Sequence, residues 1–404
     1  MTLKLVLISP SGTLVDENNN LHKKHVSSLC TLILNLEKEG IKVVIWSNRK
    51  WTLENKVDLG EYLTQKSGVK VDYILAGQGG YPVRRRGDSV LPVLEKFNVQ
   101  KSETILVGNG KEDVLAGVNN GLLLLRPSWY LHDSEYGFLV SSLGDLERFC
   151  ILFGLRKHPI FWSLKNIGLE IYAMGPYSTR IKEYEGFGTN AFQSAKHENG
   201  TIDFWHKLIV STLYFSGLVD GIDYITIYPS HSSGSRKKAI DEVMTLFGKC
   251  FRKTFYSDLL LRHTTSVKSA FAKPHEKTYK NQIETIRLNR NPKRYGGNPK
   301  STPINLKGKK ILVVDDFCTN GRSLEVARIY IEAAGGKAML FSWLKTINSD
   351  YFEIDSVTNI NPTNKNVLVD EPIAKIHSYK NGIVDSGAAA EISNLLDRYK
   401  DWVI

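Results

Sequence analysis

Two adjacent carboxylates, Asp315 and Asp316, close the apolar run Ile311-Leu312-Val313-Val314. A short polar loop follows at once, Cys318-Thr319-Asn320-Gly321-Arg322-Ser323, and an amphipathic segment begins at its end. Each part has its own chemistry. A helix N-terminus offers backbone N–H groups to an anion. Thr319 and Ser323 add hydroxyls, and Gly321 lets backbone approach a ligand closely. The carboxylates cannot hold that anion, but they suit the neighbouring hydroxyls of a sugar or, indirectly, a divalent cation. Acids for a diol and a loop for a phosphate together describe a sugar phosphate. The plainer reading also stands: a strand ending in acids, and a helix capped by Thr or Ser.

The elements that position this stretch form two alternating series. In the first, strands are expected at 3–8, 41–46, 71–75, 103–107 and 122–126. Helices are expected at 22–39, 52–66, 88–97 and 111–118, with a short helical segment near 143–154. In the second, residues 222–230 read as a strand and its end, 235–248 as a helix and 309–316 as a buried strand. A helix at 322–335 stops at Gly335-Gly336, a strand follows at 337–344, and the tail reads as a helix. Short buried strands alternating with helices predict parallel sheets covered on both faces, with ligands at the strands' carboxyl ends. The fold class expected is therefore α/β in two domains, 1–150 and 151–404, as a length of 404 residues favours.

Composition narrows the partners. A hydrophobic content of 42% and a charged content of 24% are those of a soluble globular chain. Cys30, Cys150, Cys250 and Cys318 lie about a hundred residues apart and lack the spacing of a zinc or redox motif, so reduced thiols and a cytoplasmic location are expected. The apolar N-terminus reads as a strand, and no run approaches membrane-spanning length, so no membrane partner is expected. The formal net charge of +11 favours phosphates, nucleotides or nucleic acid. Much of it is local: eight Lys/Arg and no acid lie between Arg287 and Lys310. A solvated loop would look the same.

The stretch 311–323 resembles the signature of the type I phosphoribosyltransferases, an apolar strand, Asp-Asp, two variable residues, Thr-Thr-Gly, one residue and Thr. Asn320 and Ser323 replace threonines and keep hydrogen-bonding capacity. The resemblance implies a phosphoribosyltransferase-like second domain in which Asp315 and Asp316 contact the ribose hydroxyls of phosphoribosyl pyrophosphate. Cys318 through Ser323 would hold its 5-phosphate, and Mg²⁺ would bridge pyrophosphate and ribose oxygens. Catalysis would rest on positioning and charge neutralisation at the leaving group. It also implies a pyrophosphate-side loop at Ser230, His231, Ser232, Ser233 and Gly234, with Arg236 and Lys237 near the anion; a Ser/Gly turn before a helix explains the same residues. Arg262, Gln282, Arg287 and Asn289 resemble the hood of the competence-related branch, with Lys268, Lys273 and Lys277 in reach of a pyrophosphate. A homodimer or larger complex is implied as well. Trp343 and Tyr351 are candidate stacking residues, or simply core aromatics.

The first domain carries a second resemblance. "LVLISPSGTLVDE" is similar to the opening motif of the haloacid dehalogenase-like hydrolases, with Ser9 where the nucleophilic aspartate would stand and Ser11 where the acid/base would. Ser47 in "VVIWSN" matches the second motif. In "ILVGNGKEDVLAGVNNG", Asn109 replaces the first acid of the fourth motif and Asp113 is kept. Arg84, Arg85 or Arg86 would be the basic residue of the third. A serine without a base is a weak nucleophile and brings no charge to a metal. The domain is therefore expected to be catalytically inactive, as a phosphate cradle or a scaffold.

Three functions are thus expected to compete. One is a Mg²⁺-dependent phosphoribosyltransferase, or a reverse-direction relative acting on a nucleotide. Another is a nucleotide- or sugar-phosphate-sensing regulator or effector, of the kind found in bacterial stress or antiphage systems. The last is a nucleic-acid-associated component.

Overall fold

The structure, a computed structural model, describes all residues except 1, 17, 19, 54–56, 130–135, 235–237, 267–277, 295, 356, 358 and 403–404. The chain divides into two compact units. The first comprises 1–157, 213–220 and 249–252, and the second comprises 158–212, 221–248 and 253–404.

The first unit is built on six strands: β1 (Leu5–Ile8), β2 (Lys42–Ser47), β3 (Asp72–Leu75), β4 (Thr104–Val107), β5 (Leu123–Pro127) and β6 (Phe138–Val140). They form one sheet in the order β3-β2-β1-β4-β5-β6, with every pairing parallel. β1 and β4 are buried throughout, as strands covered on both faces must be. Leu5, Leu7, Val44, Trp46, Leu106 and Leu124 share a core with helix residues such as Val93 and Ala116. Two details differ from expectation. β6 follows a stretch with no strand pattern of its own, and the helix from Leu143 ends at Arg148 in a π-helical turn, Phe149–Phe153.

The second unit's strands are β7 (Trp162–Asn166), β8 (Leu169–Tyr177), β9 (Tyr224–Ile227), β10 (Thr254–Phe255), β11 (Leu260–Arg262), β12 (Ile286–Leu288), β13 (Lys310–Cys318), β14 (Lys337–Thr346), β15 (Tyr351–Ile354), β16 (Ala374–His377) and β17 (Ile383–Val384). Seven make a mixed sheet in the order β10-β9-β13-β14-β8-β7-β17. From β10 to β8 the pairings are parallel; β7 and β17 add an antiparallel edge. β11–β12 and β15–β16 are separate antiparallel pairs. The hairpin β7–β8 is absent from the alternating pattern, although Gly168, at φ +84°, supplies the left-handed turn it needs. β13 occupies a central place in the sheet. Its chain is longer than expected and carries the strand through both acids to Cys318.

No helix among the described residues is long and apolar enough to cross a membrane. All four cysteines are free thiols.

Candidate functional sites

In the second unit, parallel pairing alone gathers the expected residues. Ile227 lies opposite Val314, and Cys318 opposite Lys345, so the carboxyl ends of β9, β13 and β14 lie side by side. Tyr228 N–H donates to Val314 O at 3.1 Å, which starts the 229–234 loop beside the acid pair. Both acids are buried, Asp315 to 5% exposure and Asp316 to 3%. Asp315 accepts from Asp316 N–H at 3.0 Å, and Asp316 accepts from Phe317 N–H at 2.9 Å. The Lys196 ammonium, from the helix Lys182–His197, forms an ion pair with Asp316. Lys196 also lies 5.9 Å from the Phe317 ring, which packs edge-on against Tyr177 at 4.7 Å. No motif points to Lys196; it sits more than a hundred residues before the acids it meets.

The 318–323 loop is held from behind. Gly321 has φ +78°, and a Cβ there would collide with the buried Tyr351 ring. Only glycine meets both conditions without strain. Asn320 donates from Nδ2 to Ser349 Oγ and Asp350 O, each at 3.1 Å, and its carbonyl accepts from Phe352 N–H at 3.0 Å. Thr319 Oγ1 lies 3.1 Å from Thr346 Oγ1. Gly321 caps the helix Arg322–Ala333 without a side-chain bond. Arg322 lies over the rings of Phe352 and Tyr279, at 4.9 and 5.7 Å. Ser323 is half-buried in the first turn, and Cys318 is buried, its thiol pushed up to about 11 by that burial.

Tyr351 is core: its hydroxyl donates to Glu325 at 2.6 Å, and Glu325 also receives the Arg328 guanidinium at 2.7 Å. Trp343 is fully buried against Trp205. Neither aromatic presents a stacking face to a ligand.

Across the acid pair, the 230–234 loop is tied to itself and to β11. Ser230 Oγ donates to Ser232 O at 3.3 Å, and Ser233 Oγ to Arg262 O at 3.1 Å. His231 Nε2 lies 3.0 Å from Ser232 Oγ, and its carbonyl accepts from Ser266 N–H at 2.9 Å. Gly234 adopts φ +78°. Arg236, Lys237, Lys268, Lys273 and Lys277 lie outside the described residues.

The expected hood residues Arg262 and Gln282 do meet, but in the interior. Arg262 donates to Ser230 O, Thr285 Oγ1, Tyr228 Oη and Gln282 Oε1, at 2.5 to 3.1 Å. At 6% and 8% exposure these two side chains lie beneath the loop, not over a ligand as expected of a hood. Arg287 on β12 donates to Thr363 O at 3.3 Å, and Asn289 to Asp258 at 3.1 Å. In the basic run, Lys309 pairs with Asp223 at 3.1 Å and Lys310 with Glu170 at 3.0 Å.

In the first unit, β2, β1 and β4 likewise bring their carboxyl ends together. Ser9 and Asn109 are each 1% exposed and Ser47 is 5%, whereas Ser11 is exposed. Gly12, at φ +70°, packs against Asn109, where an added Cβ would lie 3.2 Å from the Asn109 Cβ. Asn109 Nδ2 donates to Pro127 O at 2.7 Å. The three arginines differ: Arg84 is buried and donates to Asp113 Oδ1 at 2.6 Å and Trp46 O at 2.9 Å, while Arg85 and Arg86 are exposed. The second Asp113 oxygen accepts from Gly110 N–H at 2.8 Å. The one motif acid left in this unit is therefore engaged on both oxygens. With Ser9 and Asn109 as its neighbours, the donor set does not fit Mg²⁺, which favours carboxylates. Among the described residues, no three His, Cys, Asp or Glu side chains cluster as metal ligands.

No protein-family model matches the chain, and no curated protein sequence matches it. Solved structures align with part of it. One is a cobalt-bound deoxy-D-mannose-octulosonate 8-phosphate phosphatase from Haemophilus influenzae, 15% identical over 37% of this chain and 88% of that one, with a TM-score of 0.27. Another is a 3-deoxy-D-manno-octulosonate 8-phosphate phosphatase from Moraxella catarrhalis with magnesium, phosphate and its sugar, 12% identical over 37% of this chain and 86% of that one, with a TM-score of 0.28. At TM-scores and identities this low, neither likeness bears on what this chain does.

Proposed function

We propose that the second unit is a phosphoribosyltransferase-type site acting on phosphoribosyl pyrophosphate or a nucleotide, and that the first is a haloacid dehalogenase-like fold that no longer hydrolyses phosphate esters. One observation carries the reading: Asp315-Asp316 and a glycine-turned loop stand together at the carboxyl end of a central parallel strand. Backbone N–H groups at the start of the helix Arg322–Ala333 suit a 5-phosphate. The carboxylates suit the ribose hydroxyls, with charge-assisted hydrogen bonds as the source of affinity. The 230–234 loop would face the leaving group.

Adjacent carboxylates are also the donors a magnesium ion prefers, so a cation carried by pyrophosphate would be held beside Asp315 and Asp316. Such an ion supplies charge neutralisation at the departing pyrophosphate. Lys196, already on Asp316, offers positive charge from the protein itself. That contact also favours a second reading, reversible sensing of a nucleotide or sugar phosphate without turnover, because a resident cation satisfies an acid that a substrate would otherwise engage.

Isothermal titration with phosphoribosyl pyrophosphate and Mg²⁺ tests the proposal. Binding by the wild type, weakened at least about tenfold in D315N/D316N, supports it. No heat from a folded wild type would sink it. Release of pyrophosphate with a panel of nitrogenous bases separates transfer from sensing.

A further inference from the structure

We propose that Lys345 is the positioning residue of the phosphate loop, a buried ammonium that fixes the Thr319 peptide and whose charge is answered by the phosphate of the bound ligand. The inference rests on the phosphate-binding reading of residues 318–323.

Lys345 lies near the end of β14, opposite Cys318, and is fully buried. Its ammonium donates to Ser349 O at 2.5 Å, Thr319 O at 2.6 Å and Thr346 O at 3.2 Å. A lysine has three N–H donors, and backbone carbonyls take all of them. The rings of Trp162 and Tyr379 lie 5.3 and 5.6 Å away. None of the ion pairs among the described residues involves this ammonium. Burial holds its pKa below the ordinary lysine value.

The Asp350 carboxylate acts on this ammonium from a distance without pairing with it. A buried charge with no carboxylate in contact is costly, and an apolar side chain of similar volume would pack against the same rings at no such cost. The position of the charge suggests why it is there. Thr319 O belongs to the Thr319–Asn320 peptide of the loop, and every peptide described is trans. The N–H of Asn320, across that peptide, therefore points away from Lys345. Donation to the carbonyl polarises the peptide and strengthens its N–H as a donor. An anion held by the loop would gain both the sharpened donor and the field of the ammonium behind it. The bonds to Thr346 O and Ser349 O anchor the same ammonium to the turn that also receives Asn320, so one side chain ties the loop to that turn.

The test uses the full chain and ribose 5-phosphate as the probe. Lys345→Met keeps the volume and removes the charge and the donors. Isothermal titration is expected to show at least about tenfold weaker binding of ribose 5-phosphate to this variant, the loss typical of a hydrogen bond to a charged group. In the wild type, the caged Lys345 Nζ should give a slowly exchanging ¹⁵N–¹H resonance that shifts as ribose 5-phosphate saturates the protein. A merely structural lysine would not sense the ligand. The resonance also keeps the test alive if the variant does not fold. Unchanged affinity in K345M, or an Nζ resonance unmoved at saturation, would overturn the inference and leave the proposed function standing. No heat from the wild type with either ribose 5-phosphate or phosphoribosyl pyrophosphate would overturn both.

Discussion

At the carboxyl ends of its parallel strands, the first unit presents a serine, an asparagine and one aspartate already clasped by arginine; the second presents two adjacent carboxylates beside a glycine-turned loop. The architecture around the two sites is alike in kind. Each places polar side chains where buried strands stop, and each uses a left-handed glycine, Gly12 or Gly321, to bring the next segment close. The charges differ. In the first unit, Arg84 and Asp113 are 4% and 1% exposed and neutralise each other inside the protein. In the second, Asp316 meets a lysine whose side chain is 37% exposed, and a second lysine stands behind the loop with its ammonium hydrogen-bonded to carbonyls. A buried, mutually satisfied pair belongs to stability. On the proposed reading, the acids met by a part-exposed cation are the ones left for a ligand.

The comparison can be broken most directly in the first unit. Arg84→Met should cost about 3–5 kcal/mol in urea unfolding, because Asp113 would keep a buried charge with its partner gone. A cost below about 1 kcal/mol would mean that the pair is not the internal tie described here.

Gly321→Ala comes next. The left-handed conformation alone costs a non-glycine residue about 1–2 kcal/mol, and the Tyr351 ring adds a collision. Reduced stability and loss of ribose 5-phosphate binding should appear together, by thermal denaturation and titration. If binding survives intact, the loop is not the phosphate site.

Asp315→Asn/Asp316→Asn sharpens the contrast. Its unfolding free energy should stay within about 1 kcal/mol of the wild type, since the Lys196 contact is part-exposed, while sugar-phosphate affinity falls. Equal losses in both would make this pair as structural as Arg84–Asp113.

The smallest effect concerns thiols. Burial raises the pKa of Cys150, Cys250 and Cys318, so a disulfide reagent at pH 8 should label the half-buried Cys30 first and reach all four only after denaturation. Rapid native labelling of Cys318 would show that the loop opens.

Much of this was legible beforehand, and for a local reason. Strand β13, the acids at its end, Gly321 and the following helix are neighbours in sequence, so pattern and turn chemistry were enough to read them. The first unit's strand alternation was legible for the same reason, as were Ser9 and Asn109 just past the ends of β1 and β4. The hairpin β7–β8 was missed because a mixed edge breaks the strand–helix rhythm. Arg262 and Gln282 were expected over a ligand because an arginine's type does not say which way it faces. Buried hydrogen bonds to Tyr228, Thr285 and Ser230 decided that.

The sequence by itself determined which chemical groups each site owns: two carboxylates and a glycine-turned polar loop in one, and a serine, an asparagine and one aspartate in the other. Tertiary structure decided which cations answer them. Arg84 was selected from three consecutive arginines, Lys196 was brought to Asp316 from a distant helix, and Lys345 was set behind Thr319 by the β13–β14 register. Electrostatic partners are chosen by distance and burial in space, and a shift of one residue along a strand turns a side chain to the opposite face. Composition and spacing cannot make that choice; only the packed sheets do.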